Sequence, residues 1–198
     1  DLHSFPTRRS SDLGNFLVEN LLGSLTPTAG SVRVLGTDPR RAGAAFWARV
    51  GLVQQNWTDH PKWRVVDQLE WIRAIQLTAS PDVMGTSEVL NAVGLADKAT
   101  SRLSRLSGGQ RRTIDFAAAL MGRPELLVMD EPTTGLDPAS KAHLHDLILQ
   151  CVDDDNATVL MTTHDLAEAE RIASRVLIMS RGRVIADGTN YQDRKSVV

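Results

Sequence analysis

The chain has 198 residues, of which 42% are hydrophobic and 23% charged, with a net charge of −2 and a pI near 6.2. That is enough chain for one domain with a real core, and the charge balance argues against a broad nucleic-acid footprint. A single cysteine, Cys151, excludes a disulfide framework within the chain, and no apolar run approaches the roughly 20 residues a membrane helix needs.

The chain does not start with Met. Asp1 to about Asn15 resembles translated sequencing-adapter sequence, and so does Asp193–Val198. The domain expectation is therefore non-native tails over 1–15 and 191–198 flanking one native domain, 16–190. Arg8-Arg9 is not followed by a clean apolar segment, since Asn15, Glu19 and Asn20 interrupt it, so a twin-arginine export signal is not expected.

Phe16–Leu25 carries Leu17, Leu21, Leu22 and Leu25 at helical spacing. Ser31–Leu35 alternates as a strand should, and Arg49–Val53 is a short apolar strand ending in Gln54-Gln55. A polar, aromatic loop over 56–64 follows. Helices are expected over Val65–Leu77, over Ser87–Val93 closed by Gly94, and over Gln110–Met121. Leu126–Met129 is a continuous apolar strand, and Pro138–Cys151 a helix with Asp137 as its N-cap. Thr158–Thr162 is a strand and Asp165–Ala173 a helix. Val176–Met179 and Arg183–Ala186 pair through Ser180-Arg-Gly182 as a hairpin. Cys151 sits in the apolar run of its helix as a small core residue.

Alternation of strands and helices in the C-terminal half predicts an α/β fold with a mostly parallel sheet. Residues 56–120 carry almost no strand signal. They read as a helical subdomain inserted between two parts of the sheet core, 16–55 and 121–190.

The chemistry concentrates at strand ends. In Leu126-Leu-Val-Met-Asp130-Glu131-Pro132 the strand delivers two carboxylates to its C-terminal end, where ligands sit in open α/β sheets. If the two residues point to opposite sides, one can serve a Mg²⁺ on phosphate oxygens and the other an attacking water. Alone, such a pair reads as an acidic turn; the Pro-Thr-Thr-Gly-Leu-Asp137 extension reverses that preference. Ser107-Gly108-Gly109 precedes a helix opening near Gln110, so backbone N–H groups and a positive helix end converge as an anion cradle. His164 ends the Thr158–Thr162 region and is placed to contact a γ-phosphate, although a lone His is more often structural. Gln55 ends a strand and offers a carbonyl oxygen to a metal or a water. His143, His145 and His60 lack metal-ligand spacing. Trp47, Trp57, Trp63 and Trp71 bracket Gln55, and packing is favoured for them over a partner-docking surface.

As an ordered set, Gln55, Leu106-Ser-Gly-Gly-Gln110, Leu126–Pro132, Gly135-Leu-Asp137 and His164 resemble the ATP-binding cassette family, over roughly residues 16–190. The resemblance implies a P-loop NTPase-like fold and an ATPase. It implies Asp130 as the Mg²⁺ residue, with Gln55 also near the metal, Glu131 as catalytic base and His164 as sensor of the γ-phosphate. It further implies that Gln55 couples nucleotide to a transmembrane permease, and that Asp137 crosses the interface to a second cassette. Ser107, Gly108, Gly109 and Gln110 would meet ATP held by that second subunit in a head-to-tail dimer. The implied location is peripheral, on the cytoplasmic face of the membrane. The wording from Arg111 to Pro132 looks most like bacterial drug- or lipid-type exporter cassettes.

One departure limits the resemblance. The family carries a G-x-x-x-x-G-K-[ST] loop ahead of its first helix, whose backbone N–H groups and Lys hold the β- and γ-phosphates. By register, Gly14 falls where that Lys belongs and Asn15 where the Ser or Thr belongs. Tyr191 lies at the wrong end to stack on adenine. The expectation is a fold incomplete at its N-terminus, and a chain that binds ATP poorly. A soluble cassette ATPase working on ribosomes or DNA, and a nucleotide-independent binding module, remain the competing readings. A single signature without heptads or a basic run favours transport, with no nucleic-acid partner.

Overall fold

The computed structural model describes residues 12–56, 59–154 and 157–189. Helix α1 spans Asp12–Leu21, α2 Ala44–Trp47, α3 Val65–Gln76, α4 Thr86–Ala92, α5 Gly108–Leu120, α6 Pro138–Asp154 and α7 Leu166–Ile172. Strands are β1 Val50–Val53, β2 Leu126–Asp130, β3 Thr158–Thr162, β4 Arg175–Ser180 and β5 Arg183–Thr189.

The core sheet has the order β1-β2-β3, all parallel. Its register pairs Val53 with Met129 and Asp130 with Thr162, so all three strands end at one edge. Val53, Leu127, Val128 and Met129 are buried, as a strand covered on both faces requires. The core beneath them takes Ile114, Phe116, Ala117 and Leu120 from α5 and Leu144, Leu147, Ile148 and Cys151 from α6. Cys151 is buried in this core. Gly51 is required by close packing: a Cβ there would stand 2.6 Å from the Ala119 carbonyl oxygen and 2.8 Å from Leu127 Cδ1.

Among the described residues, 59–120 are helical apart from turns and isolated bridges. Val65, Leu69, Val89, Leu90 and Leu103 extend the core between α3, α4 and α5. Gly94 ends α4 in the left-handed region at φ 71°, where a Cβ would be strained.

Two expectations are corrected. Ser31–Leu35 is not a strand: its only ladder contact is the antiparallel bridge Val34–Thr37, a tight turn that folds the segment on itself. α1 begins at Asp12 rather than Phe16, so Asp12–Asn15 continue the helix. The expected hairpin forms as β4–β5, an antiparallel pair in a sheet of its own. Its Leu177, Ile178, Val184 and Ile185 are exposed. The short α2 gave no periodic signal because four residues are too few for one.

Candidate functional site

The ends of β2 and β3 place four side chains together. Asp130 is the last residue of β2 and is 8% exposed. Its Oδ1 accepts a hydrogen bond from Thr162 Oγ1 at 2.5 Å. Glu131 follows with φ 44°, in the left-handed region that bulky residues avoid. The strand therefore does not simply alternate through Glu131; the chain turns there, and the turn re-aims the carboxylate. The Glu131 N–H still bonds to β3, shared between the Thr162 carbonyl oxygen and Thr162 Oγ1, both at 3.1 Å.

Glu131 Oε2 accepts from Thr134 Oγ1 at 3.0 Å and lies 3.3 Å from His164 Nδ1. The Glu131 side chain is 16% exposed and that of His164 72%. A part-buried carboxylate thus contacts an imidazole that is open to solvent. This is an arrangement in which one group can accept a proton from water while the other donates to an anion. Gly14 lies against this site, since a Cβ on it would stand 3.3 Å from Thr162 Cβ.

A second cluster gathers the glycine run. Ser107 is the N-cap of α5, its Oγ accepting the Gln110 N–H at 3.2 Å while Gln110 Oε1 accepts the Ser107 N–H at 3.1 Å. This reciprocal capping box fixes the first turn. It employs the Ser107 hydroxyl as an acceptor and leaves its O–H available to donate. Gly108 has open space where a Cβ would be, whereas Gly109 packs directly on Ser140, and any side chain there would collide with it. Ser140 in turn donates from its backbone N–H to Asp137 Oδ1 at 3.0 Å and from its hydroxyl to Asp137 Oδ2 at 2.6 Å. These bonds hold the Asp137 carboxyl below the usual range. The Ser107–Gln110 run and Asp137, 27 or more positions apart in sequence, are therefore neighbours through one serine.

Gln55 lies just past β1, and its side chain is exposed. The structure uses its backbone, not its side chain: Arg112 donates to the carbonyl oxygens of Gln54 at 2.6 Å and Gln55 at 2.7 Å. Trp63 and Trp71 are 37% and 48% exposed and pack around His60, so these two aromatics form a surface cluster rather than core. Trp57 and Tyr191 lie outside the described residues.

Sequence reasoning missed the residues that support the site. Thr162 bridges Asp130 and Glu131. Buried Glu168 accepts from Thr163 Oγ1 at 2.6 Å and lies 2.7 Å from His145 Nε2, with a further hydrogen bond to Thr133. It thus ties α6 and the loop after Glu131 to the residue before His164. The available signal was a Glu four residues beyond His164, which the helical pattern of α7 disguised.

A protein-family profile described as ABC transporter matches residues 16–134. The chain is 38% identical over 174 residues to the daunorubicin resistance ATP-binding protein DrrA3 of Streptomyces coeruleorubidus, covering 87% of this chain and 55% of that protein. It is 40% identical over 170 residues to the Nod factor export ATP-binding protein I of Paraburkholderia xenovorans (strain LB400), covering 85% and 55% respectively. It is 34% identical over 184 residues to the phosphonates import ATP-binding protein PhnC of Thiobacillus denitrificans, covering 87% and 71%. The chain spans about half the length of the first two of these relatives. Its fold matches the ATP-binding cassette MJ0796, solved as a dimer in a post-hydrolysis state with ADP and Pi, at a TM-score of 0.75 and 23% identity, covering 91% of this chain and 82% of that one. The chain belongs to the ABC transporter family.

Proposed function

We propose that this chain is the ATP-hydrolysing subunit of a membrane transporter of the exporter type. The carrying observation is the convergence of Asp130, Glu131, Thr162 and His164 at the ends of two parallel strands. Asp130 supplies one hard, nearly buried carboxylate oxygen, which suits a Mg²⁺ that takes its other ligands from phosphate and water. Among the described residues no group of three His, Cys, Asp or Glu forms a metal cage. A cation carried in with a nucleotide therefore fits this donor set better than a resident one. Glu131 acts as the base toward water, and His164 meets the γ-phosphate.

Ser107, Gly108, Gly109 and Gln110 face ATP held by a second cassette, with Asp137 beside them at that interface. Gln55 and the exposed Trp63 and Trp71 form the side that meets a transmembrane permease. No described helix is long and apolar enough to cross a membrane; the cassette reading sets the chain beside its permease, peripheral on the cytoplasmic face. The drug-resistance and Nod factor export relatives favour export, and the phosphonate relative is an importer.

With Gly14 and Asn15 at the positions of the phosphate-gripping Lys and Ser/Thr, the 198-residue chain holds triphosphate weakly. Each charge-assisted hydrogen bond forgone is worth about 1.5–3 kcal/mol, which together take a micromolar site to millimolar or weaker. Titration of the purified chain with Mg-ATP is expected to give millimolar affinity, with residual turnover abolished in Glu131→Gln. Low-micromolar affinity would contradict the weak grip, and turnover indifferent to Glu131→Gln would contradict the catalytic assignment.

A further inference from the structure

Gln54 and Gln55 leave the sheet at the end of β1, 52 or more positions before Ser107. Arg112 spans that distance in space. It is 3% exposed, and its two terminal nitrogens donate separately to the carbonyl oxygens of Gln54 and Gln55. One turn further along α5, Asp115 Oδ2 lies 3.6 Å from Arg112 Nη1. The neighbouring Arg111 makes a two-point pair with Asp59, so the loop that begins at Gln54 is held at its start and again at Asp59 by consecutive arginines. Both arginines follow immediately on the Ser107–Gln110 run that opens the same helix.

The chemistry of this contact is selective. A planar guanidinium presents two successive backbone carbonyls with separate nitrogens in a rigid fork, whereas an ammonium offers its donors from one freely rotating point charge. The acceptors are main-chain atoms, so the contact fixes the path of the segment, not merely a side chain. Desolvation disfavours both the Arg112 cation and the Asp115 carboxylate. A buried cation aimed at carbonyls is therefore a costly device for stability alone, and it is more naturally a device for holding geometry.

We propose that Arg112 is a positioning residue that clasps the Gln54–Gln55 backbone to the helix opened by Ser107–Gln110, so that the two move as one body. In the cassette reading, on which this consequence rests, Gln55 attends the nucleotide held by its own subunit, while Ser107–Gln110 attend the nucleotide of the opposite one. Arg112 then links the two ATP sites of the dimer mechanically, within one subunit.

The test is amide hydrogen exchange on the full chain, read without nucleotide. Arg112→Met is expected to speed exchange at 54–59 and at 107–111 by at least about tenfold, with 126–130 and 158–162 unchanged. Arg112→Lys, which keeps the charge and loses the fork, should fall between. The decisive arm loosens the loop with Gln55→Gly: exchange at 107–111 should rise in the Arg112 background and not rise further in Arg112→Met. Additive effects, a uniform rise over all segments, or unchanged exchange at 54–59 in folded Arg112→Met would each overturn the clasp. No nucleotide is used, so failure here is separate from failure of the ATPase reading, which the Mg-ATP titration reports.

Discussion

Thr162 Oγ1 donates to Asp130 Oδ1 at 2.5 Å while accepting the Glu131 N–H at 3.1 Å, so one hydroxyl on β3 ties the Asp130 carboxylate to the backbone from which Glu131 projects. Neither contact involves the γ-methyl, so chemistry and shape can be separated. Thr162→Val keeps the volume and removes the hydroxyl. It should cost about 1–3 kcal/mol in urea unfolding, the range for leaving a nearly buried partner unsatisfied. It should also lower residual Mg-ATP turnover on the order of 10- to 100-fold through misplacement of Glu131. Thr162→Ser should retain most of both. Equal turnover in the Val and Ser variants would remove Thr162 from the site.

Gly109 is determined by packing, whatever it does toward a ligand. A Cβ there collides with Ser140, the residue that also caps α6 through Asp137. Gly109→Ala should destabilise the chain by about 1–3 kcal/mol, as overpacking does. Ser140→Gly in the same chain should recover part of that loss, although it removes the hydroxyl bond to Asp137. A double-mutant cycle with no coupling energy would mean that the two helices separate freely at this point. Gly108→Ala, with open space at its Cβ, should be nearly neutral for folding, so an effect on nucleotide response there would report ligand contact.

The two displaced carboxyls with buried surroundings pull stability in opposite directions with pH. Burial raises Asp115 from 3.8 to about 7, with Arg112 and Arg111 opposing and Asp59 reinforcing the rise. The folded state therefore holds a proton that the unfolded chain has released. The associated stability is present below about pH 4 and is lost as pH rises to about 7, with a ceiling of about 4 kcal/mol by linkage. Asp115→Asn should gain stability relative to the parent chain as pH goes from 4 to 8. Glu168 runs the other way. Burial alone would raise it, but its bonds to Thr163, His145 and Thr133 win and lower it. Its contribution is present above the ordinary carboxylate value of 4.5 and is lost as pH falls through the folded value. Truncation by Glu168→Ala should cost about 1–3 kcal/mol at pH 7, the range for removing a hydrogen-bond partner from buried polar groups, here His145 and Thr163. Chemical denaturation over a range that extends below the ordinary carboxylate value distinguishes the two variants, the Asp115 slope lying between 3.8 and about 7 and the opposite Glu168 slope below 4.5.

How much of this was readable beforehand follows from the range of each interaction. β1, β2 and β3 were legible because continuous apolar runs bounded by polar residues encode buried parallel strands, and β3 spans Thr158–Thr162 as its pattern predicts. The capping of α5 by Ser107 and of α6 by Asp137 was legible because those bonds are local. Ser31–Leu35 misled because alternation over five residues also fits a turn that no neighbouring strand pairs with. The contacts of Arg112 with Gln54 and Gln55, of Gly109 with Ser140, and of Glu168 with His145 join distant positions and leave no periodic trace. Sequence spacing therefore pointed to the proposed reacting groups and missed the side chains packed around them. The departure of Glu131 from strand geometry was hidden for the same reason, because its φ of 44° is imposed by the turn through Thr134, not by its own preference.

That φ makes Glu131 a place where backbone and chemistry can be tested independently. A non-glycine residue in the left-handed region costs about 1–3 kcal/mol unless its side chain tolerates the conformation. Asn tolerates it well and β-branched residues poorly. Glu131→Asn should therefore fold within about 1 kcal/mol of the parent chain, although it loses the bonds to Thr134 and His164. Glu131→Val should lose a further 1–3 kcal/mol or so. Both should abolish turnover, since neither retains a carboxylate. Thermal melts together with Mg-ATP turnover measure the two axes. If the Asn variant folded no better than the Val variant, the turn would not depend on the left-handed conformation at this position. If the Asn variant folded and still turned over Mg-ATP at the parent rate, the proton would be accepted by a group other than Glu131.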